Sequence, residues 1–162
     1  MDIQSAAPVT MCLSKVTLAA GTTTTLSNTG TTTYVIRGKA YTKAAMTNAA
    51  TPTTDASTGA AFNGVVANYG SIYLVGFNAA GSLLAVQGTI EKLDSSGAFI
   101  TAPIFNGPPT DFCPIGYIVI KAGSTANATT GWIFGTSNMS SVTGITYTFV
   151  DVVGIPDRPQ VS

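Results

Sequence analysis

A chain of 162 residues can form one domain with a core of its own and is short for two. Its seven basic and seven acidic residues cancel, and charged residues make up only 9% of it, against roughly 25% in an ordinary soluble domain. It has no histidine, so Ser-His-Asp and Cys-His catalysis and histidine-based zinc sites are excluded.

With so few charges, Thr, Ser, Asn and Gly must keep the surface wet. Hydroxyls and small residues are cheaper to desolvate than ammonium or carboxylate groups, so such a surface is easily buried against a neighbour. Mean hydropathy is positive, +0.35, yet the longest apolar runs, such as 72–77 and 115–120, fall far short of the roughly 20 residues that span a bilayer. No membrane span is expected. From the start, Met1-Asp2 with its first basic residue at Lys15 and no apolar run, no secretory signal is expected, so the chain reads either as made and assembled inside a cell or as a mature form. Cys12 and Cys113 stand in distant, dissimilar contexts, which favours free structural thiols over a disulfide.

Residues 1–30 are rich in Ala, Thr, Ser and Gly and lack sustained periodicity. They read as an extended N-terminal arm, ordered by a partner if at all, with residues 31–162 forming a single β-rich domain. Deletion of residues 1–20 is accordingly expected to leave that domain folded. Tyr34-Val-Ile and Gly38-Lys-Ala-Tyr41 read as one strand with a glycine interruption that marks a bulge. The Ala- and Thr-rich stretch that follows, closed by Pro52 and holding at most a short helical turn near 44–48, reads as a long loop. Ser71–Phe77 and Leu83–Gln87 form a hairpin across Asn78-Ala-Ala-Gly81, Thr89–Leu93 follows, and Asp94-Ser-Ser-Gly97 turns the chain. A proline-rich crossing, 103–114, leads to Gly116–Lys121, apolar on both faces and therefore central. Gly131–Phe134 reads as a short strand. Ile145, Tyr147 and Phe149 alternate with Thr146 and Thr148, the period-two pattern of a half-buried strand. Two prolines make the tail 154–160 a poor ladder strand. The fold expected is all-β: an antiparallel sandwich or small barrel with an extended N-terminal arm and very little helix.

Paired carboxylates are the remaining route to hydrolysis. Asp55, Glu91, Asp94, Asp111, Asp151 and Asp157 are the candidates, and turn capping or solvated pairing accounts for them better than catalysis. No calcium loop, dinucleotide fingerprint or P-loop is present. Asn127-Ala-Thr129 and Asn138-Met-Ser140 match the glycosylation triplet and read as polar turns. The constellation that stands out is basic: Arg37, Lys39 and Lys43 are three of the seven cations. On an unbroken strand they share one side with Tyr41. That stripe is either a solvated edge strand, its lysines discouraging aggregation, or a docking face for an acidic surface. Nucleic acid is a poor fit for a neutral chain.

The phrases TLAAGTTTTLSNTGTTTYVIRGKAY, TKAAMTNAATPTTDASTGAAF, CPIGYIVIKAGSTANATTGWIFGTSN and VVGIPDRPQ resemble small virion structural proteins of tailed bacteriophages, and among them the capsid decoration or cement proteins. The resemblance runs from about Val16 to Gln160 and rests on a style of sequence rather than on a catalytic motif. It implies a β-rich homotrimer, made in the host cytoplasm, that sits on the outer surface of the head. There it would clamp the major capsid protein without enzyme activity, cofactor or metal. Two other readings stay open: a head-fibre or tail-associated module binding a receptor or glycan through exposed Tyr and Trp, and a bacterial surface or pilus-like subunit.

Overall fold

The computed structural model describes residues 9–161. Ten strands follow in chain order: β1 (Met11–Cys12), β2 (Leu18–Ala20), β3 (Thr25–Asn28), β4 (Thr32–Ile36), β5 (Lys39–Lys43), β6 (Ala49–Ala50), β7 (Tyr69–Phe77), β8 (Leu83–Lys92), β9 (Cys113–Ala122) and β10 (Ile145–Asp151). They form three antiparallel sheets, ordered β1-β4-β5, β2-β3-β6 and β10-β9-β7-β8. The protein is all-β, a sandwich without a closed barrel, and no described residue lies in a helix. It therefore has no helix able to cross a membrane among the described residues.

The four-stranded sheet is the centre of the molecule. β9 lies between β10 and β7, and nine of its ten residues are buried, as its two-sided apolar pattern requires. One face of the sheet, with Tyr73, Val75, Phe77, Ile118 and Ile120, packs against Leu26, Tyr34, Ile36, Trp132 and Phe134 in the main core. Cys113 and Ile115 join that face although Ile118 and Ile120 have the opposite parity. The register explains it: Val75 pairs with Gly116 but Gly76 pairs with Pro114, so Ile115 is the extra residue of a bulge.

The other face, with Ile72, Leu74, Val86, Tyr117 and Val119, is covered by chain that forms no sheet. Phe99, Phe105 and Phe112 from the crossing between β8 and β9, and Val152 and Val161 from the C-terminal segment, lie over it, and Val150 of β10 joins the face from within the sheet. Tyr117 fastens the tail, its hydroxyl accepting from the Gln160 N–H at 2.7 Å. Gly70 permits the close approach of the crossing: a Cβ there would stand 2.6 Å from the Phe99 ring and 2.8 Å from the Ile120 carbonyl oxygen.

Three expectations are corrected. Residues 1–8 of the expected arm lie outside the described residues, but 9–30 are not an arm: they supply β1 to β3 and bury Cys12, Val16, Leu18 and Leu26 in the main core. The Cys12 N–H donates to the Val153 carbonyl, and the N–H groups of Thr17 and Leu18 donate to the Asp151 carboxylate, so distant segments order this stretch. Residues 34–43 are two strands, not one bulged strand. Arg37 (φ 51°) and Gly38 (φ 82°) are the two central residues of a tight turn, and the left-handed pair matches the twist of the hairpin it closes. The stretch 44–48, where at most a short helical turn is expected, forms none, and β6 begins just after it. Gly131–Phe134 is not a strand, since Trp132 makes only an isolated bridge to Val65.

Candidate contact surface

The hairpin β4–β5 divides the basic stripe. Lys39, Tyr41 and Lys43 stand opposite Ile36, Tyr34 and Thr32 on the inward face, while Arg37 sits exposed at the hairpin tip. Tyr41 stacks on the buried Tyr34 ring, with centroids 5.6 Å apart and planes 22° from parallel. The Lys39 ammonium lies 5.5 Å from the Tyr41 centroid, within cation–π range. Lys43 is half-buried, with its stem beside Gly81. Tyr41 and Lys43 thus close the core over Tyr34, which leaves Arg37 and Lys39 as the exposed cations at the tip. They border a shallow cleft of about 310 Å³ shared with Ile36, Tyr41, Thr110 and Asp111. β5 is an edge strand.

From this tip a strip of exposed aliphatic side chains follows adjoining segments, with Asp157 and Arg158 among them. Gly38 donates to the Val9 carbonyl and Cys12 to the Val153 carbonyl, which places the start of β1 between the hairpin tip and the C-terminal segment. Val9, Leu13, Val153 and Ile155 are exposed there. Residues 157–159 then border a cleft with residues 101–104, and on that crossing Ile100 and Ile104 are 62% and 65% exposed. Six large apolar side chains facing water along adjoining segments form the kind of patch that marks an interaction surface. The sequence reading missed it. Its signal was the combination of isolated Ile and Val with Pro in segments too irregular to be strands.

Four of the six candidate carboxylates, Asp55, Asp94, Asp111 and Asp151, have structural occupations. Asp55, 6% exposed, accepts from the N–H groups of Ser57 (2.7 Å) and Thr58 (3.2 Å) with one oxygen and from Gln87 (2.8 Å) with the other. Asp94 caps its turn, accepting from the Ser96 hydroxyl and from the N–H groups of Ser96 and Ala98. Those bonds, the Ser96 hydroxyl foremost, hold its pKa below the usual carboxylate value. Asp111 accepts from Ala79 N–H, and Asp151 from Thr17 and Leu18. Among the described residues no group of three or more His, Cys, Asp or Glu could hold a metal ion.

Cys12 and Cys113 are free and buried, in agreement with the free-thiol expectation. Burial pushes the Cys113 thiol up to about 12, with the neighbouring Cys12 adding to the effect. Cys12 is raised as well, again chiefly by burial. Both stay protonated and unreactive at neutral pH. Trp132 is buried to 2% exposure, its indole N–H bonded to the Asn138 carbonyl, and its ring belongs to an aromatic cluster with Tyr73 and Phe134. Tyr34, Tyr73 and Tyr117 are equally buried, and Tyr41, Tyr69 and Tyr147 are half-buried. No fully exposed Trp or Tyr is available among the described residues for stacking on a sugar.

Comparison with protein-family models, curated proteins and solved structures finds no match.

Proposed function

We propose that the protein works by binding alone, as a decoration or cement protein on the outer surface of a bacteriophage head, where it reinforces contacts between major capsid subunits. The observation that carries this reading is the exposed apolar strip, Val9, Leu13, Val153, Ile155, Ile104 and Ile100, bordered at one end by Arg37 and Lys39. Its aliphatic side chains can be desolvated cheaply, while Asp157 and Arg158 between Ile155 and Ile104 and the basic tip can meet charged groups on the partner. The sequence resemblance supplies the kind of partner. Many copies on one shell need only modest individual affinity, because a shell that binds several linked copies gains avidity. The buried Trp132 weighs against the glycan-binding alternative.

Electron microscopy of intact virions labelled with an antibody to this protein tests the proposal. Label spread over the head is the expected result. Label confined to the tail tip or a fibre would move the function to host recognition, and unlabelled virions would overturn the viral reading altogether.

A further inference from the structure

We propose that the open edge of β10 pairs with the same edge of a second copy, joining two four-stranded sheets into one eight-stranded sheet about a two-fold axis. The inference goes beyond capsid binding and rests on strand geometry alone.

The four-stranded sheet ends in β8 on one side and β10 on the other. The β8 edge is closed. The Ala85 carbonyl accepts from Ala56, Gln87 N–H is held by Asp55 and the Gln87 carbonyl by the Asn106 amide, while Thr89 N–H donates to Ile104 and the Lys92 carbonyl accepts from Ile100. β10 lacks such hydrogen-bonded cover along its middle, although β2 packs near the strand. Gly123 donates to Gly144 and Val152 to Ile115, so the even-numbered residues of β10 point their backbone groups at β9 and the odd-numbered ones point away. Of the outward residues, Ile145 N–H is bonded to Val142, and Asp151 lies beside Thr17 and Leu18, which its carboxylate holds. Tyr147 and Phe149 remain. Among the described residues their backbone N–H and C=O groups have no hydrogen-bond partner.

That window is self-complementary. In an antiparallel pairing centred on Thr148, Tyr147 of each copy faces Phe149 of the other, and the four N–H and four C=O groups of the two windows satisfy one another at the centre of the contact. The same register stacks two Tyr–Phe cross-strand pairs on one face and sets Thr148 against Thr148 on the other, where both are exposed. The segment Ile145–Val150 contains no charge, Gly or Pro, the composition that favours strand addition. The edge of β5 fails this test. Pairing it with itself about Tyr41 would set Lys39 opposite Lys43 twice, and like charges directly opposite are destabilising.

The test uses the full chain with single substitutions at exposed positions. Light scattering coupled to size exclusion at several hundred micromolar should give a mass approaching twice the 16.5 kDa of one chain. Thr148→Lys, which brings two ammonium groups together across the axis, should return it to one chain with an unchanged circular dichroism spectrum. Thr148→Cys should yield a covalent dimer on mild oxidation, since facing residues at a non-hydrogen-bonded site stand within disulfide reach and both native thiols are buried. Thr146→Cys, whose partner in this register is Val150, should not. Three results would each overturn the proposal: a monomer that Thr148→Cys fails to trap, an oligomer of any size that survives Thr148→Lys, or equal cross-linking through residues 146 and 148.

Discussion

Asp55 joins two segments 32 residues apart, and its removal has a cost that can be worked out from its bonds. Asp55→Ala deletes three charge-assisted hydrogen bonds, from Ser57, Thr58 and Gln87. The Ser57 and Thr58 donors are partly exposed and can turn to water, so their loss is worth about 1 kcal/mol together. The Gln87 N–H is buried, and orphaning it costs roughly 1 to 3 kcal/mol. The expected destabilisation is therefore about 2 to 4 kcal/mol, a large part of the roughly 5 to 15 kcal/mol that holds a domain together. Asp55→Asn sharpens the test. Its amide oxygen can serve one side of the clamp, but its NH₂ group then points at a donor on the other, so the nearly isosteric change should cost almost as much as alanine. Urea unfolding followed by circular dichroism measures both. An Asp55→Asn variant within about 0.5 kcal/mol of the parent, the range of an ordinary surface substitution, would refute the clamp.

Gly70→Ala should destabilise by about 1 to 3 kcal/mol, because a methyl group there must displace both the Phe99 ring and the Ile120 backbone; thermal melting reads the loss. Deletion of residues 1–20 should abolish the β-type circular dichroism spectrum, since it removes β1, β2 and the buried Cys12, Val16 and Leu18, and a folded truncated chain would restore the arm reading. Folded Cys113 keeps its proton to about pH 12, against 9.0 for an unperturbed thiol. The folded state thus binds more protons across that interval and stability falls as pH rises through it, and Cys113→Ala should flatten the decline, read as unfolding midpoint against pH. If the apolar strip binds the capsid, Ile104→Asp with Val153→Asp should weaken attachment in co-sedimentation with heads, whereas raised salt should weaken it only mildly because few charges are there to screen.

The elements that were legible in the sequence are those whose residues carry their own instruction. The long apolar run of β9 required burial on both faces, and the alternation from Ile145 to Phe149 required a half-buried strand; each is as the pattern demanded. The hairpin β4–β5 was less legible: Gly38 readily takes one left-handed turn position, but the other falls to Arg37, which is not one of the residues that usually signal such a turn. Taking residues 34–43 as one strand, unbroken for the basic stripe, put Arg37 on a face it does not share with Lys39, Tyr41 and Lys43. The strands β1 to β3 could not have been read. At two to four residues they are too short for any periodicity to register, and the bonds that order them come from Asp151, Val153 and Met46 elsewhere in the chain.

The same distance in sequence hid the role of the acids. A carboxylate beside a turn looks alike whether it caps that turn, as Asp94 does, or reaches across the fold, as Asp55 and Asp151 do. In this charge-poor chain four of the six acidic residues among the described ones hold backbone N–H groups. Anions used in this way fix irregular segments over the sheet where no ladder can, and Asp55 also closes the β8 edge. The surface beyond them is left to hydroxyls, small residues and exposed aliphatic side chains. A molecule so constructed presents little that water holds strongly, and its free surfaces, the strip from Val9 to Ile104 and the β10 edge, are those that a neighbour can cover at least cost.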